Sequence, residues 1–210
     1  MSGVATPRVL LTSFAPFGGL PHNPSERVMS LVGTIDGASI ETRVLPVETR
    51  RVREVLEPDF AAGFDVVIHT GVAMDRPTIT VERVAINLLD FEARDEGGEL
   101  RVEEPIDPDG PFALRSRIPV RAIVKAWGSA GIPGRASNSA GTFLCNQVMY
   151  LALSKLPSMT RAGFIHVAPD EHLGGGRPHQ PAELQARAVR LAIGVCLNEL
   201  REELSTRPSR

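Results

Sequence analysis

The chain has 210 residues, of which 42% are hydrophobic and 23% charged, with a formal net charge of -2 and no block of like charges. That length suits a single domain over 1–210 with a substantial core, and the composition excludes a disordered chain. The charge balance argues against a nucleic-acid footprint or a polybasic membrane patch.

The first apolar run, RVLLTSF (8–14), reads as a strand closed by Pro16, Gly18 and Gly19. Val44, Leu45 and Val47 mark a second extended stretch, DVVIHTG (65–71) a third and AGFIHVA (162–168) a fourth. Their continuous apolarity predicts strands covered on both faces. Helical patterns lie between them. In residues 49–63, Val52, Val55 and Leu56 share a face, and Pro58 is expected to bend or end the helix. Residues 120–131 follow a proline and stop at glycines, and 142–156 are apolar nearly all round, as in a buried helix. A long terminal helix over 181–204 has Leu184, Ala188, Leu191 and Val195 on one stripe. Strand–helix alternation of this kind predicts an α/β fold, a three-layer α/β/α sandwich on a mainly parallel twisted sheet. The charged segment 87–118 is expected to be a long loop or small inserted hairpin, and 174–181 a flexible connection.

The two cysteines, Cys145 and Cys196, are too few for a disulfide framework and point to a reducing compartment. The N-terminal residues do not read as a signal peptide, and no segment is apolar enough to span a bilayer, so a cytoplasmic protein is expected. Cys145, in SNSAGTFLCNQVMY, stands about one turn inside a helix, where the macrodipole is expected to lower its pKa and the free N–H groups to receive an oxyanion. Cys196 lies deep in the last helix and reads as structural. His166 ends one buried strand and His69 another, so both compete for the role of base, although either also fits a core histidine. His22, His172 and His179 read as solvated. Glu82, in TITVERVAIN, is a carboxylate in an apolar stretch that needs a partner, either Arg83 or an imidazolium. Cys–His–Glu is then the leading combination among several. Phe14 and Phe17 leave the first strand together and suit either a flat, weakly polar ligand or a core cap.

Four segments taken together, SFAPFGG with NPSE, ITVERVAIN, SNSAGTFLCNQVMY and GFIHVAP, resemble the motifs of the pyroglutamyl peptidase I (pyrrolidone-carboxylate peptidase) family in the family's order. The resemblance implies a cysteine peptidase with Cys145 as nucleophile, His166 as acid/base and Glu82 orienting the histidine. Its substrates would be peptides with N-terminal pyroglutamate, cleaved through a thioester. It also implies that Phe14 and Phe17 flank the pyroglutamyl ring, that backbone groups of Gly71, Val72 and Ala73 bind the lactam, and that Phe143 and Leu144 wall the pocket. The family uses no metal or cofactor and is usually a homo-oligomer, so a dimer or tetramer is expected.

The chain departs from the family at Ser13, Ala15 and Ala168, and its stretch after His166 is shorter. Where the family carries an arginine after the glutamate motif, this chain has Glu92, with Arg94 two positions on. Arg94 is therefore expected to take over support of the reacting carbonyl. Two other classes stand beside this reading. One is a lactam binder without hydrolytic activity. The other is a nucleoside phosphorylase or hydrolase, which lacks the basic Gly-rich loop it would need.

Overall fold

A computed structural model describes residues 6–173, 176 and 178–206. Seven elements lead up to the inserted segment: β1 (Arg8–Phe14), α1 (Pro24–Val32), β2 (Ser39–Leu45), α2 (Thr49–Ala61), β3 (Val66–Val72), β4 (Ile79–Glu82) and β5 (Val84–Ile86). Six follow: β6 (Ala113–Arg115), α3 (Val120–Ser129), β7 (Gly134–Ser137), α4 (Leu144–Lys155), β8 (Arg161–Val167) and α5 (Ala182–Thr206). The main sheet has the order β2-β1-β3-β8-β4-β7. It is parallel except at β4, which runs antiparallel to β8 while pairing parallel with β7.

The sheet is buried on both faces, as its apolar runs require; all seven residues of β3 are buried. One core cluster joins Val9, Leu11, Val66 and Ile68 to α1, α3 and α5. The other joins Leu10, Val67 and Phe164 to α2 and α4. This is the expected α/β layering. β1, β3 and β8 end at one edge, where ligands gather in open sheets.

Several elements differ from expectation. Helix α1 escaped the periodicity, yet its start is chemically explicit: Asn23 Oδ1 accepts from Ser25 N–H at 3.0 Å, Pro24 opens the helix and Glu26 lies in the first turn. Pro58 does not end α2, because the helix continues to Ala61. The buried stripe of α5 is offset by a residue or two from the expected one. Ala182, Gln185, Ala186, Val189, Ile193 and Cys196 are buried, whereas Leu184, Leu191 and Val195 lie at the margin. Alanines let this long helix approach the sheet layer closely, a signal that a stripe of large residues hides. The inserted segment holds β6 paired with β5 and a bridge between Leu89 and Glu104. Of the stretch 174–181, residues 174, 175 and 177 lie outside the described residues.

Trp127 closes one end of the first cluster. It is fully buried, its indole N–H donates to Ala188 C=O at 2.8 Å, and its ring lies against Gly134, where a Cβ would stand 2.6 Å from the ring. Trp127→Ala should therefore cost about 3–5 kcal/mol of unfolding free energy. Denaturant titration checks this, and a loss under about 1 kcal/mol would show that α3 is not anchored through this ring.

Candidate active site

The edge formed by the ends of β1, β3 and β8 opens into a cavity of about 360 Å³. Phe14, Phe17, Val72, Ala73, Phe143, Leu144, Cys145 and His166 all border it, together with Asn23, Met74, Asp75 and Arg76. The turn after β1 is held by Asn23, whose side-chain amide donates to Ala15 C=O at 3.0 Å, and by Ala15 N–H donating to Leu45 C=O at 2.9 Å. Gly18 and Gly19 adopt positive φ of 60° and 73°, which lets this turn place Phe14 and Phe17 on one cavity wall. Phe143 is steadied by an edge-to-face contact with Phe91, centroids 4.6 Å apart.

Cys145 is the second residue of α4, closer to the helix start than expected, and the N-cap Phe143 makes no side-chain cap bond. Its thiol lies directly over β3: a Cβ on Gly71 would stand 2.8 Å from Sγ and 3.0 Å from Phe164 Cζ. Gly71 thus provides room for the sulfur rather than a cavity wall. The expected fall in thiol pKa is overturned. Cys145 keeps partial exposure to the cavity, yet burial pushes its thiol up to about 12, helped by the charge of Glu82 and opposed by Arg76. Removal from water is the largest cause of this rise.

His166 Nδ1 and Glu82 Oε1 are 2.8 Å apart, both residues buried. A carboxylate can only accept, so Nδ1 carries the proton and Nε2 is left as the acceptor. Burial lowers the pKa of His166 while Glu82 raises it, and the net direction is down. Burial disfavours the Glu82 carboxylate, but the hydrogen bond and charge of His166, with Arg76, hold its pKa below the usual value. The directions of these shifts favour a neutral imidazole beside a carboxylate, and a protonated thiol at Cys145.

Arg76 was not singled out in the sequence. Its guanidinium donates to Glu82 Oε1 at 2.5 Å, to Thr80 Oγ1 at 2.7 Å and to Ser139 C=O at 3.0 Å. It neutralises the buried carboxylate and ties β4 to the segment before α4. Its signal was the need of Glu82 for a partner, for which the sequence offers Arg83 or an imidazolium; His166 does meet Glu82, whereas Arg83 binds Asn138 Oδ1 at 2.9 Å. The Ala73 N–H is already given to Val167 C=O at 2.9 Å, so it has no free donor for a lactam. Arg94 does not border the thiol cavity; it borders an adjoining one, its guanidinium donating to Gly98 C=O at 2.8 Å. The guanidinium expected to support the reacting carbonyl thus stands outside the cavity that Cys145 borders. His22 is not simply solvated, since it lies 2.9 Å from the buried carboxylate of Asp170. Cys196 is fully buried in α5.

The family model described as "Pyroglutamyl peptidase" matches residues 7–199. The chain belongs to the pyroglutamyl peptidase family. A pyrrolidone-carboxylate peptidase of Thermococcus kodakarensis is 42% identical to it, over 93% of this chain and 98% of the relative. One of Streptomyces coelicolor is 40% identical, over 89% and 90%. The crystal structure of the pyrrolidone carboxyl peptidase from Thermus thermophilus superposes with a TM-score of 0.86 at 47% identity, covering 88% of this chain and 98% of that one. In this pyroglutamyl peptidase relative no helix among the described residues is long and apolar enough to cross a membrane.

His69, the rival base, is fully buried, with Nδ1 2.8 Å from Thr12 Oγ1, and does not border the cavity. Burial alone takes its pKa down to about 3 from 6.5. Between those values the unfolded chain binds a proton that the folded chain refuses, so stability falls as pH drops through this window. His69→Gln should flatten the slope of unfolding free energy there by up to about 1.4 kcal/mol per pH unit. An unchanged slope would mean that His69 is protonated in the fold. Gly71→Ala should keep the fold, because the near neighbours are side-chain ends, but displace the thiol and lower kcat at least about tenfold. Circular dichroism with steady-state kinetics on a pyroglutamyl amide checks this; wild-type turnover would show that the sulfur is not confined there.

Proposed function

We propose that this chain is a thiol-dependent hydrolase that cleaves the amide bond after an N-terminal pyroglutamyl residue and releases pyroglutamate. The observation that carries the reading is the buried 2.8 Å contact of His166 Nδ1 with Glu82, where His166 and Cys145 border one cavity with aromatic walls. A pyroglutamyl terminus has no ammonium group, so its recognition calls for apolar faces around a flat lactam, which Phe14, Phe17, Phe143 and Leu144 are placed to supply. Main-chain groups of Val72 would meet the lactam's polar edge.

The chemistry follows from the resting protonation states. Cys145 is a thiol, so proton transfer to His166 Nε2 accompanies attack of sulfur on the carbonyl carbon. Glu82 stabilises the imidazolium so formed and fixes the ring. The N–H groups of the first turn of α4 would receive the developing oxyanion. Collapse breaks the C–N bond, and His166 returns its proton to the leaving amine, giving a thioester on Cys145. His166 then takes a proton from water, hydroxide adds to the thioester carbon, and the C–S bond breaks to release pyroglutamate and restore the thiol.

The chain would act as one α/β unit. Both cysteines are free, which suits a reducing, cytoplasmic setting. Self-association into a dimer or tetramer rests on the family resemblance and is measurable by sedimentation.

Turnover of a pyroglutamyl amide tests the assignment. Cys145→Ala should abolish it and Cys196→Ser leave it nearly intact. His166→Ala should cost about 10²–10⁴-fold in kcat. Equal losses from the two cysteines, or full activity without His166, would reject the proposed roles.

A further inference from the structure

A second cavity, of about 450 Å³, adjoins the first and shares Phe17, Val47, Gly141 and Phe143 with it. We infer that it receives the residue following pyroglutamate and selects a positive charge there, through the carboxylates of Asp90 and Glu92. This rests on the activity proposed above.

The position follows from connectivity. If the lactam lies among the aromatic walls and its carbonyl at Cys145 Sγ, the leaving residue must depart from that point. Phe143 forms part of both cavities and is two residues from Cys145, at most about 7 Å of chain. Asp90 is tied to the same segment: its N–H donates to Thr142 C=O at 3.1 Å, and Thr142 Oγ1 donates to Asp90 C=O at 2.6 Å. The floor of the second cavity is thus rigidly coupled to the strand–helix junction that carries the nucleophile.

The chemistry follows from which charges are committed. Four carboxylates and one guanidinium border this cavity. Asp95 is buried and spent on the N–H groups of Thr49 and Glu99, at 2.7 Å and 2.8 Å. Glu96 accepts from Gly18 N–H at 2.7 Å, and Arg94 is turned to Gly98 C=O. Asp90 and Glu92 carry no hydrogen bond or ion pair on their carboxylates among the described residues. A lysine or arginine in the leaving peptide could lay its apolar stem over Phe17 and Phe143 and bring its charge to these two groups. An acidic residue would meet an uncompensated negative field.

The test compares three blocked substrates, pyroglutamyl-arginyl, pyroglutamyl-alanyl and pyroglutamyl-glutamyl amides, at low ionic strength. We expect kcat/KM to fall in that order, with about tenfold or more between arginine and glutamate, as two solvent-facing charges within several ångströms would give. The spread should narrow in high salt. The Asp90→Asn, Glu92→Gln double variant should bring arginine and glutamate within about twofold. Should the double variant be poorly folded, Glu92→Gln alone, at an exposed position, should at least halve the ratio. A flat or inverted order in the wild type, or a spread that survives these substitutions, overturns the inference while leaving the peptidase reading intact. Failure to hydrolyse any of the three substrates overturns the peptidase reading itself, and this inference with it.

Discussion

The contact between His166 and Glu82 is the constraint on which the site depends, because it holds two ionisable groups in a place that favours neither charge. Left alone, a buried carboxylate would take up a proton and no longer orient an imidazole. Arg76 prevents this by adding a cation on the same oxygen. Its other bonds, to Thr80 and Ser139, lock the end of β4 to the approach to α4. One guanidinium therefore serves both charge balance and architecture.

The reversal of β4 makes that contact possible. In the antiparallel register Thr80 lies opposite His166 and Val81 opposite Ile165, so Glu82 shares a sheet face with His166 at the diagonal position. A glutamate side chain is long enough to span that diagonal. Had β4 joined the sheet in parallel like its neighbours, this register would be lost. The short return after β3 that carries Met74, Asp75 and Arg76 is the price of the reversal, and it supplies the cation.

The thiol illustrates the same competition between burial and charge. Gly71 leaves the sulfur a berth against β3 and Phe164, and the protein around it keeps the proton on. Burial is the largest cause of the rise in its pKa, and the charge of Glu82 adds to it. In the proposed mechanism such a thiol becomes reactive as its proton passes to His166, which borders the same cavity. A protonated resting state also suits a cavity with aromatic walls, where a permanent thiolate would oppose entry of a weakly polar ring.

The strands β1, β3 and β8 and the helices α2 to α5 were legible because each carries an uninterrupted apolar signal or a clear periodicity in its own residues. Helix α1 was missed for the opposite reason: its signal is a cap, Asn23-Pro24 with Glu26, not a stripe. Strands β5 to β7 are only three or four residues long, too short for a periodicity of their own. Cys145 stood out by its place near a helix start, His166 by its place at a strand end and Glu82 as a carboxylate in an apolar stretch, and the four motifs joined them to a family. Sequence alone determined the layered α/β class, because it follows from local patterns, and it offered these three residues as candidates through their positions and the family motifs. Only the tertiary structure decided that Arg76 rather than Arg83 meets Glu82, that Arg94 faces the neighbouring cavity, and that Cys145 rests as a thiol. Each of these depends on strand direction and on what lies within a few ångströms across the sheet, and neither is written in the spacing of residues along the chain.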